Sequence, residues 1–276
     1  MPRLLRDQRG EAVFELRRPR RVQAAELHRR WRRGRLLRRL LRLRALTRPA
    51  PGLDSPAVSA VQVERVDDLQ AYAAAVASCT RCRLAQGRTQ VVFGAGNPRA
   101  ELMFVGEAPG FHEDKQGLPF VGQAGKLLEK LLAGIGMSRQ DVYIANVLKC
   151  RPPGNRDPQP DEIEACESHL FRQIELIEPT IVATLGNFAT KLLSGRPLGI
   201  TRVHGQEQQT TLGGRSVTLY PLYHPAAALY TPAMLKVLES DFARIPELLG
   251  RVLTPPEPEL ALVSDAVPPA EQLGLF

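Results

Sequence analysis

The chain has 276 residues, of which 43% are hydrophobic, which is enough for one substantial core and excludes a wholly disordered protein. Its net charge of +8 is unevenly spread: residues 1–50 hold 17 arginines, no lysine and four acidic residues, a balance of +13, and the other residues carry −5. Because the basic character belongs to the N-terminal segment, the pI of 9.7 is weak evidence that the folded body binds nucleic acid.

Membrane and secreted classes fit poorly. The longest stretch without Asp, Glu, Lys or Arg, residues 216–235, contains three prolines and is a poor membrane-spanning helix. Four cysteines, two of them in a Cys-x-x-Cys, fit a reducing compartment such as the cytoplasm better than a disulfide framework.

Composition divides the chain into three parts. Residues 1–61 form an arginine-rich extension and linker, which we expect to be disordered or partly helical. It could be a phosphate-binding arm, an organelle-type targeting segment or translated sequence upstream of the true start, and a disordered or artefactual extension is the favoured interpretation. Residues 62–252 form the globular domain, and residues 253–276 a flexible, proline-rich tail.

Within the domain, helical and strand patterns alternate. After a helix over 66–78, short apolar runs predict strands at 102–105, 142–145, 180–184 and 217–223, and helices are predicted at 124–135, 160–177 and 188–193. This alternation indicates an α/β domain with a mostly parallel sheet, whose ligand site lies at the carboxyl ends of its strands. Such a cleft would gather the side chains that follow the four runs: Glu107, Asn146, Asn187 and His224.

The cysteines form the first candidate site. Cys79 and Cys82 are a close pair, and Cys150 and Cys166 come later in the chain. Four such thiolates can surround a tetrahedral zinc ion or a cubane iron–sulfur cluster, and their spacing does not choose between the two.

The segment after the first strand is the second candidate. Residues 106–110, Gly-Glu-Ala-Pro-Gly, form a turn that lets the backbone approach a ligand closely. We expect Glu113, Asp114 and Gln116 in the same loop, with Phe120 supplying an aromatic face before the next helix.

Asn146 and His224 complete the candidate residues. A buried amide at Asn146 needs partners for both its oxygen and its NH₂, and the edge of uracil offers both, whereas cytosine presents the opposite polarity. The alternatives are an asparagine that caps a strand end and a histidine with a purely structural role.

Taken together, these motifs resemble the family 4 uracil-DNA glycosylases, the iron–sulfur branch of that superfamily, over residues 66 to 250. The resemblance rests on Cys79-x-x-Cys82, Val105-Gly-Glu-Ala-Pro-Gly110, Glu113-Asp-Lys-x-Gly-x-Pro-Phe-Val-Gly122, Asn146-Val-Leu-Lys-Cys-Arg-Pro-Pro153, Leu185-Gly186 and His224-Pro-Ala226. His204 departs from it, because relatives more usually have arginine there.

The resemblance implies a three-layer α/β/α fold with a four-stranded, mostly parallel sheet. It implies removal of uracil from DNA by hydrolysis of the N-glycosidic bond, in base excision repair, and a [4Fe–4S] cluster on the four cysteines. The roles that it implies are these: Gly106, Glu107 and Ala108 form the first catalytic loop, Glu113 lies near the attacked sugar, Phe120 stacks on uracil, Asn146 reads its edge, and His224 faces O2.

On physical grounds we expect Glu113 to position the water, with Glu107 as the second choice. Two other classes stay open: a non-catalytic nucleic-acid-binding module stabilised by zinc or iron–sulfur, and an electron-transfer protein. The second fits less well, because the chain has ligands for only one cluster.

The last five residues suggest a partner. They resemble the pentapeptide with which bacterial repair proteins dock into the sliding clamp, through Gln272, Leu273, Leu275 and Phe276. We expect a monomeric, cytoplasmic protein that acts on uracil-containing DNA.

Overall fold

A computed structural model of the chain describes residues 4–6, 12–14 and 68–253. The strands in this part are β1 (Leu4–Arg6), β2 (Ala12–Phe14), β3 (Ala95–Gly96), β4 (Leu102–Gly106), β5 (Tyr143–Asn146), β6 (Ile181–Leu185), β7 (Gln208–Leu212) and β8 (Arg215–Leu222). Strands β1 and β2 form an antiparallel pair. The rest of the N-terminal extension and the C-terminal tail lie outside the described residues, so the predicted domain limits stay predictions.

The helices follow the predicted alternation. They are α1 (68–77), α2 (Phe111–Gln116), α3 (Gln123–Gly134), α4 (Pro160–Ile177), α5 (Asn187–Ser194), α6 (Ile200–Val203), α7 (Pro225–Ala228), α8 (Pro232–Ala243) and α9 (Ile245–Leu253), with 3₁₀ turns at Arg83–Gln86 and Pro153–Asn155. Over the described range, none of them is long and apolar enough to cross a membrane.

The main sheet has six strands, in the order β3–β5–β4–β6–β8–β7, where the resemblance implied four. The central four are parallel, and the edge strands β3 and β7 pair antiparallel. The edges carry no apolar run: β3 has two residues, and β7 reads Gln-Gln-Thr-Thr-Leu. Such strands depend on hydrogen bonds to their neighbours, so hydrophobic periodicity could not reveal them.

Alternating residues of the central strands build two cores. In β4, Met103 and Val105 belong to one core, and Leu102 and Phe104 belong to the other. Helices α1, α4 and α5 cover the first core, and α3, α8 and α9 cover the second. The predicted three-layer α/β/α architecture is therefore confirmed.

Helix α4 has the predicted bounds because its sequence fixes both ends. Pro160 occupies the first helical position, and the Gln159 backbone N–H donates to Glu162 Oε2 at 2.9 Å in a capping box. The helix ends at Glu178, which adopts a left-handed conformation with φ 57°. This helix carries Cys166 to the edge of the domain.

One predicted loop is a helix instead. Glu113, Asp114 and Gln116 lie in α2, which ends at Gly117 with φ 70°. Asp114 is buried and accepts a hydrogen bond from the Thr89 backbone N–H at 2.9 Å, so it does not act as a solvated loop acid. Six residues are too few to show helical periodicity, which is why the pattern missed this element.

Candidate active site

The carboxyl ends of the parallel strands border one cavity of about 380 Å³, here called the strand-end cavity. Six of the predicted residues line it: Glu107, Ala108, Glu113, Phe120, Asn146 and His224. Asn187 was predicted to join them but does not line the cavity. Its Oδ1 accepts a hydrogen bond from the Ile200 N–H at 3.1 Å and so orders the segment after α5.

Gly106 lies behind the cavity wall, where only a glycine fits. A Cβ at this position would come within 2.4 Å of Asn146 Oδ1 and within 2.8 Å of the Phe120 ring. Glycine at the end of β4 therefore lets the amide and the aromatic ring close on each other. The predicted close approach of backbone to a ligand is here a close approach to the two side chains that line the cavity.

Phe120 is held in a strained position at the floor of the cavity. Its φ is 54°, an uncommon value for a large side chain, and its ring is 6% exposed. Arg139 anchors it by donating to the Phe120 carbonyl at 2.9 Å. The Phe120 ring lies 5.6 Å from the ring of His224, at an interplanar angle of 29°.

Asn146 is the unusual polar group of the site. It is 2% exposed, and within the described residues its Oδ1 has no hydrogen-bond partner. An orphaned buried acceptor costs about 1–3 kcal/mol, so native proteins rarely keep one without a functional reason. A bound ligand with an N–H or O–H donor would satisfy this Oδ1.

His224 is neutral in this setting. Its Nδ1 accepts a hydrogen bond from the Ala226 backbone N–H at 3.1 Å, which requires the ring proton to sit on Nε2. Burial lowers the pKa of His224 to about 4, and the Glu113 charge opposes this effect only in part. The imidazole can therefore donate one hydrogen bond into the cavity from Nε2.

The two carboxylates of the cavity differ in the hydrogen bonds that they make to the protein. Glu113 Oε1 accepts from the backbone N–H groups of Val121 at 2.9 Å and Gly122 at 2.8 Å, so it fixes the loop that presents Phe120. Glu107 makes no side-chain hydrogen bond to the described residues. Burial, and next the charge of Asp157, raise its pKa above the usual range. Glu107 is thus the carboxylate that is free to bind a water or a substrate group.

The cavity wall also includes Ala124, Asn155 and Arg156, which were not among the candidate residues from sequence. Arg156 makes a bidentate pair with the buried Glu162, with N–O distances of 2.9 and 2.6 Å. For Asn155 and Arg156, the available signal was their position just after the Pro-Pro at 152–153. His204, the departure noted above, bonds Asp241 Oδ2 through Nδ1 at 2.9 Å and has a structural contact there.

The four cysteines form no disulfide and line a second cavity, here called the cysteine cavity. Its walls come from α1, the segment between α1 and β3, the segment after β5, and α4. N–H groups point at the sulfurs: the Lys149 backbone N–H contacts Cys166 Sγ at 3.3 Å, and Arg88 Nη1 contacts Cys150 Sγ at 3.4 Å. Donors aimed at sulfur stabilise thiolates.

A buried cation also borders this cavity. Lys149 is 1% exposed, and its Nζ donates to the backbone carbonyl of Asn146 at 2.7 Å and to Gln173 Oε1 at 2.5 Å. Burial lowers the pKa of Lys149 to about 8, and the nearby Cys166 and Cys150 oppose this effect. No carboxylate of the described residues forms an ion pair with Lys149, so Cys166 and Cys150, in their thiolate form, would be its anionic partners.

Four thiols around one cavity are a donor set that an iron–sulfur cluster or a tetrahedral zinc ion can take. Among the described residues, no three Cys, His, Asp or Glu side chains lie close enough together to hold a single metal ion. Burial raises the pKa of Cys166 to about 11, so the thiolate form requires a bound cation.

Comparison with known proteins agrees with this geometry. Residues 93–244 match the family model of the uracil DNA glycosylase superfamily. A type-4 uracil-DNA glycosylase of Sulfurisphaera tokodaii is 49% identical over 188 residues, which cover 66% of this chain and 86% of the relative. Those of Archaeoglobus fulgidus and Thermotoga maritima are 47% identical over 193 residues (68% and 96%) and 48% identical over 155 residues (56% and 79%).

Proposed function

The chain belongs to the uracil-DNA glycosylase superfamily and to its type-4 family, and from this membership we propose that it hydrolyses the N-glycosidic bond of uracil in DNA. This reaction releases uracil and leaves an abasic site, the first step of base excision repair. The observation that carries the proposal is the orphaned Oδ1 of Asn146 at the floor of the strand-end cavity.

Asn146 is suited to recognise uracil by its hydrogen-bonding edge. N3–H of uracil would donate to Oδ1, and O4 would accept from Nδ2. Cytosine has an acceptor at N3 and a donor on C4, so both contacts would be lost and buried groups left unpaired. Phe120 would stack on the flat face of the same base.

His224 would stabilise the departing base. Cleavage places negative charge on uracil, and a donor aimed at O2 stabilises that charge as it develops. The neutral ring keeps its proton on Nε2 for this contact and uses Nδ1 to hold the Ala226 N–H. Loss of one such donor typically lowers kcat roughly 100- to 1,000-fold.

Glu107 is our candidate for the residue that positions water and stabilises the cationic sugar. Glu113, the first choice from sequence, has one oxygen engaged by two backbone N–H groups, and we assign it the task of holding the Phe120 loop. Glu107→Gln should then lower kcat with unchanged thermal stability, whereas Glu113→Gln should lower both. Equal stability losses in the two variants would reverse this assignment.

We propose that Cys79, Cys82, Cys150 and Cys166 hold a [4Fe–4S] cluster. When bound, it supplies structural cross-linking of distant segments. Support comes from the four free thiols around one cavity, the N–H groups aimed at their sulfurs and the buried ammonium beside them. Iron and acid-labile sulfide analysis of anaerobically purified protein should give four of each per chain, and stoichiometric zinc would contradict the proposal.

The DNA must present its uracil outside the helix. A base inside a duplex is out of reach, so the nucleotide is extruded into the cavity, and a U·G mismatch costs least to open. Leu229 and Tyr230 follow His224 and are 38% and 88% exposed. Their side chains are suited to fill the gap that the extruded nucleotide leaves in the base stack.

The direct test is incubation of the purified protein with single-stranded and duplex uracil DNA, followed by alkaline cleavage of abasic sites. Wild-type protein should generate strand breaks at uracil alone, and Asn146→Ala should not. Binding without any cleavage, in protein loaded with its metal, would instead identify a non-catalytic nucleic-acid-binding module.

We also propose that the C-terminal pentapeptide, which lies outside the described residues, docks on a sliding clamp in the cytoplasm. Deleting Leu275 and Phe276 should abolish clamp binding and leave excision from free oligonucleotides unchanged, because tethering only raises local concentration. No calorimetric signal between intact protein and its clamp at roughly tens of micromolar would contradict this. We propose a monomer, because one chain lines the whole strand-end cavity.

A further inference from the structure

Phe111 is a large aromatic side chain left in solvent at the rim of the strand-end cavity. It is 50% exposed and begins helix α2, directly after Gly110, which lines the cavity. Its neighbour in the same segment, Phe120, is buried at the cavity floor. A single exposed hydrophobic residue is ordinary by itself, so its surroundings decide whether it has a function.

Two cations lie over the Phe111 ring. Arg151 Cζ is 5.2 Å from the ring centroid and Lys115 Nζ is 6.0 Å from it. Arg151 is held in place because its Nε donates to Asn155 Oδ1 at 2.8 Å, and Asn155 lines the cavity wall. Two loops that border the cavity therefore meet at one aromatic ring flanked by positive charge.

We propose that Phe111 is a stacking platform for the base next to the extruded uridine, with Lys115 and Arg151 contacting the adjoining phosphates. This inference rests on the proposed function, and it assigns a contact outside the uracil pocket. Exposed aromatic rings interleaved with cations bind single-stranded nucleic acid by stacking and charge neutralisation. Extrusion deprives the adjacent base of one stacking neighbour, and an aromatic ring at the cavity rim can replace it.

The first test measures affinity for DNA without uracil. A thymine-only oligonucleotide of about 12 nucleotides should bind Phe111→Ala at least about 5-fold more weakly than wild type, the loss expected for one stacked base. Phe111→Tyr should restore binding. The matched control is Leu118→Ala, which removes a 46% exposed apolar side chain without an aromatic ring from the loop after α2 and should bind as wild type does. Equal affinities of wild type and Phe111→Ala would overturn the proposal.

The second test identifies the stacked base. Uracil oligonucleotides are made with an abasic spacer immediately on one side of the uridine or on the other. For wild type, one of the two spacers should raise KM at least about 5-fold, whereas Phe111→Ala should be insensitive to that same spacer because the partner ring is already gone. Identical spacer effects in both proteins would overturn the stacking assignment, whereas absence of excision by wild type would overturn the proposed function itself.

The third test follows the ring and the charges directly. Trp31 is the only tryptophan, so Phe111→Trp in a Trp31→Phe background gives one reporter, whose fluorescence should be quenched when it stacks on thymine-only DNA. Lys115→Gln should reduce the slope of log K against log salt by about 1. A fluorescence signal unchanged by saturating DNA would overturn the proposal.

Discussion

The two cavities of this domain differ in whether their buried polar groups have hydrogen-bond partners. In the cysteine cavity, Cys166 and Cys150 receive N–H contacts, and the Lys149 ammonium has two acceptors. In the strand-end cavity, the buried Asn146 Oδ1 has no partner in the described part of the chain. Both are built from one segment, residues 146–150, whose first residue faces one cavity and whose last residue lines the other.

Two histidines make the contrast sharper. Burial lowers the pKa of both His169 and His224 to about 4. In the cysteine cavity, both ring nitrogens of His169 are engaged, Nδ1 by the Tyr72 hydroxyl at 2.7 Å and Nε2 by Cys79 Sγ at 3.4 Å. In the strand-end cavity, Nδ1 of His224 is engaged, and Nε2 has no hydrogen-bond partner among residues 68–253.

This difference in hydrogen bonding distinguishes a site for a permanently bound group from a site for a substrate. Polar groups that are already hydrogen-bonded rigidify a cavity that keeps its bound group. Polar groups without a partner are available to bind a substrate that enters and leaves. We therefore expect variants of the cysteine cavity to change stability first, and variants of the strand-end cavity to change catalysis first.

The largest expected effect is that of Cys150→Ala. Structural metal binding contributes on the order of 10 kcal/mol to folding at a metal site, so loss of one thiolate should remove the visible absorbance and lower Tm by more than about 10 °C. Iron content and calorimetry measure this together. Full iron stoichiometry in the variant would exclude Cys150 as a ligand.

Asn146→Asp should come next, with an effect on catalysis instead. The carboxylate changes the polarity offered to N3 and O4, so uracil excision should fall by roughly 100- to 1,000-fold. The new edge should admit cytosine, which is assayed as a second substrate. Iron content and Tm should match those of wild type. Unchanged excision kinetics would remove Asn146 from the pocket.

Lys149→Met tests the segment that the two cavities share. The substitution leaves the backbone carbonyl of Asn146 and Gln173 Oε1 without their donor. The free energy of unfolding should fall by about 2 kcal/mol, which corresponds to a fall in Tm of about 4–8 °C. Iron retention should also decrease, because a buried positive charge beside the thiolates is lost. The control is Lys130→Met on the exposed face of α3, which should change neither quantity.

The smallest effect concerns acid. The folded pKa of His224 is about 4, below the ordinary 6.5, so between these values the unfolded chain binds a proton that the folded chain does not. Stability should therefore fall as pH decreases from about 6.5 to about 4. His224→Gln should flatten this decline by about 1 kcal/mol at pH 5, after allowance for partial exposure. Urea unfolding at pH 5 and pH 7 measures the free energy of unfolding of both proteins. An equal change between the two pH values in wild type and His224→Gln would contradict the assigned pKa.

The sequence by itself determined the central strands, helix α4 and the chemical types at the strand ends. Apolar runs reveal buried parallel strands, and Pro160 with Glu162 marks a helix start, because both signals are local. The four cysteines were likewise visible as one set of thiol ligands, although their spacing left zinc and iron–sulfur open.

Only the tertiary structure decided the edge strands and the commitments of the site residues. Strands β3 and β7 exist through hydrogen bonds to β5 and β8, which no local pattern encodes. Glu113 is held by backbone N–H groups eight and nine residues later, and Asn187 is directed away from the cavity by Ile200. A side chain's residue type follows from sequence, but its free hydrogen-bonding capacity depends on neighbours that only the folded chain brings within about 3 Å.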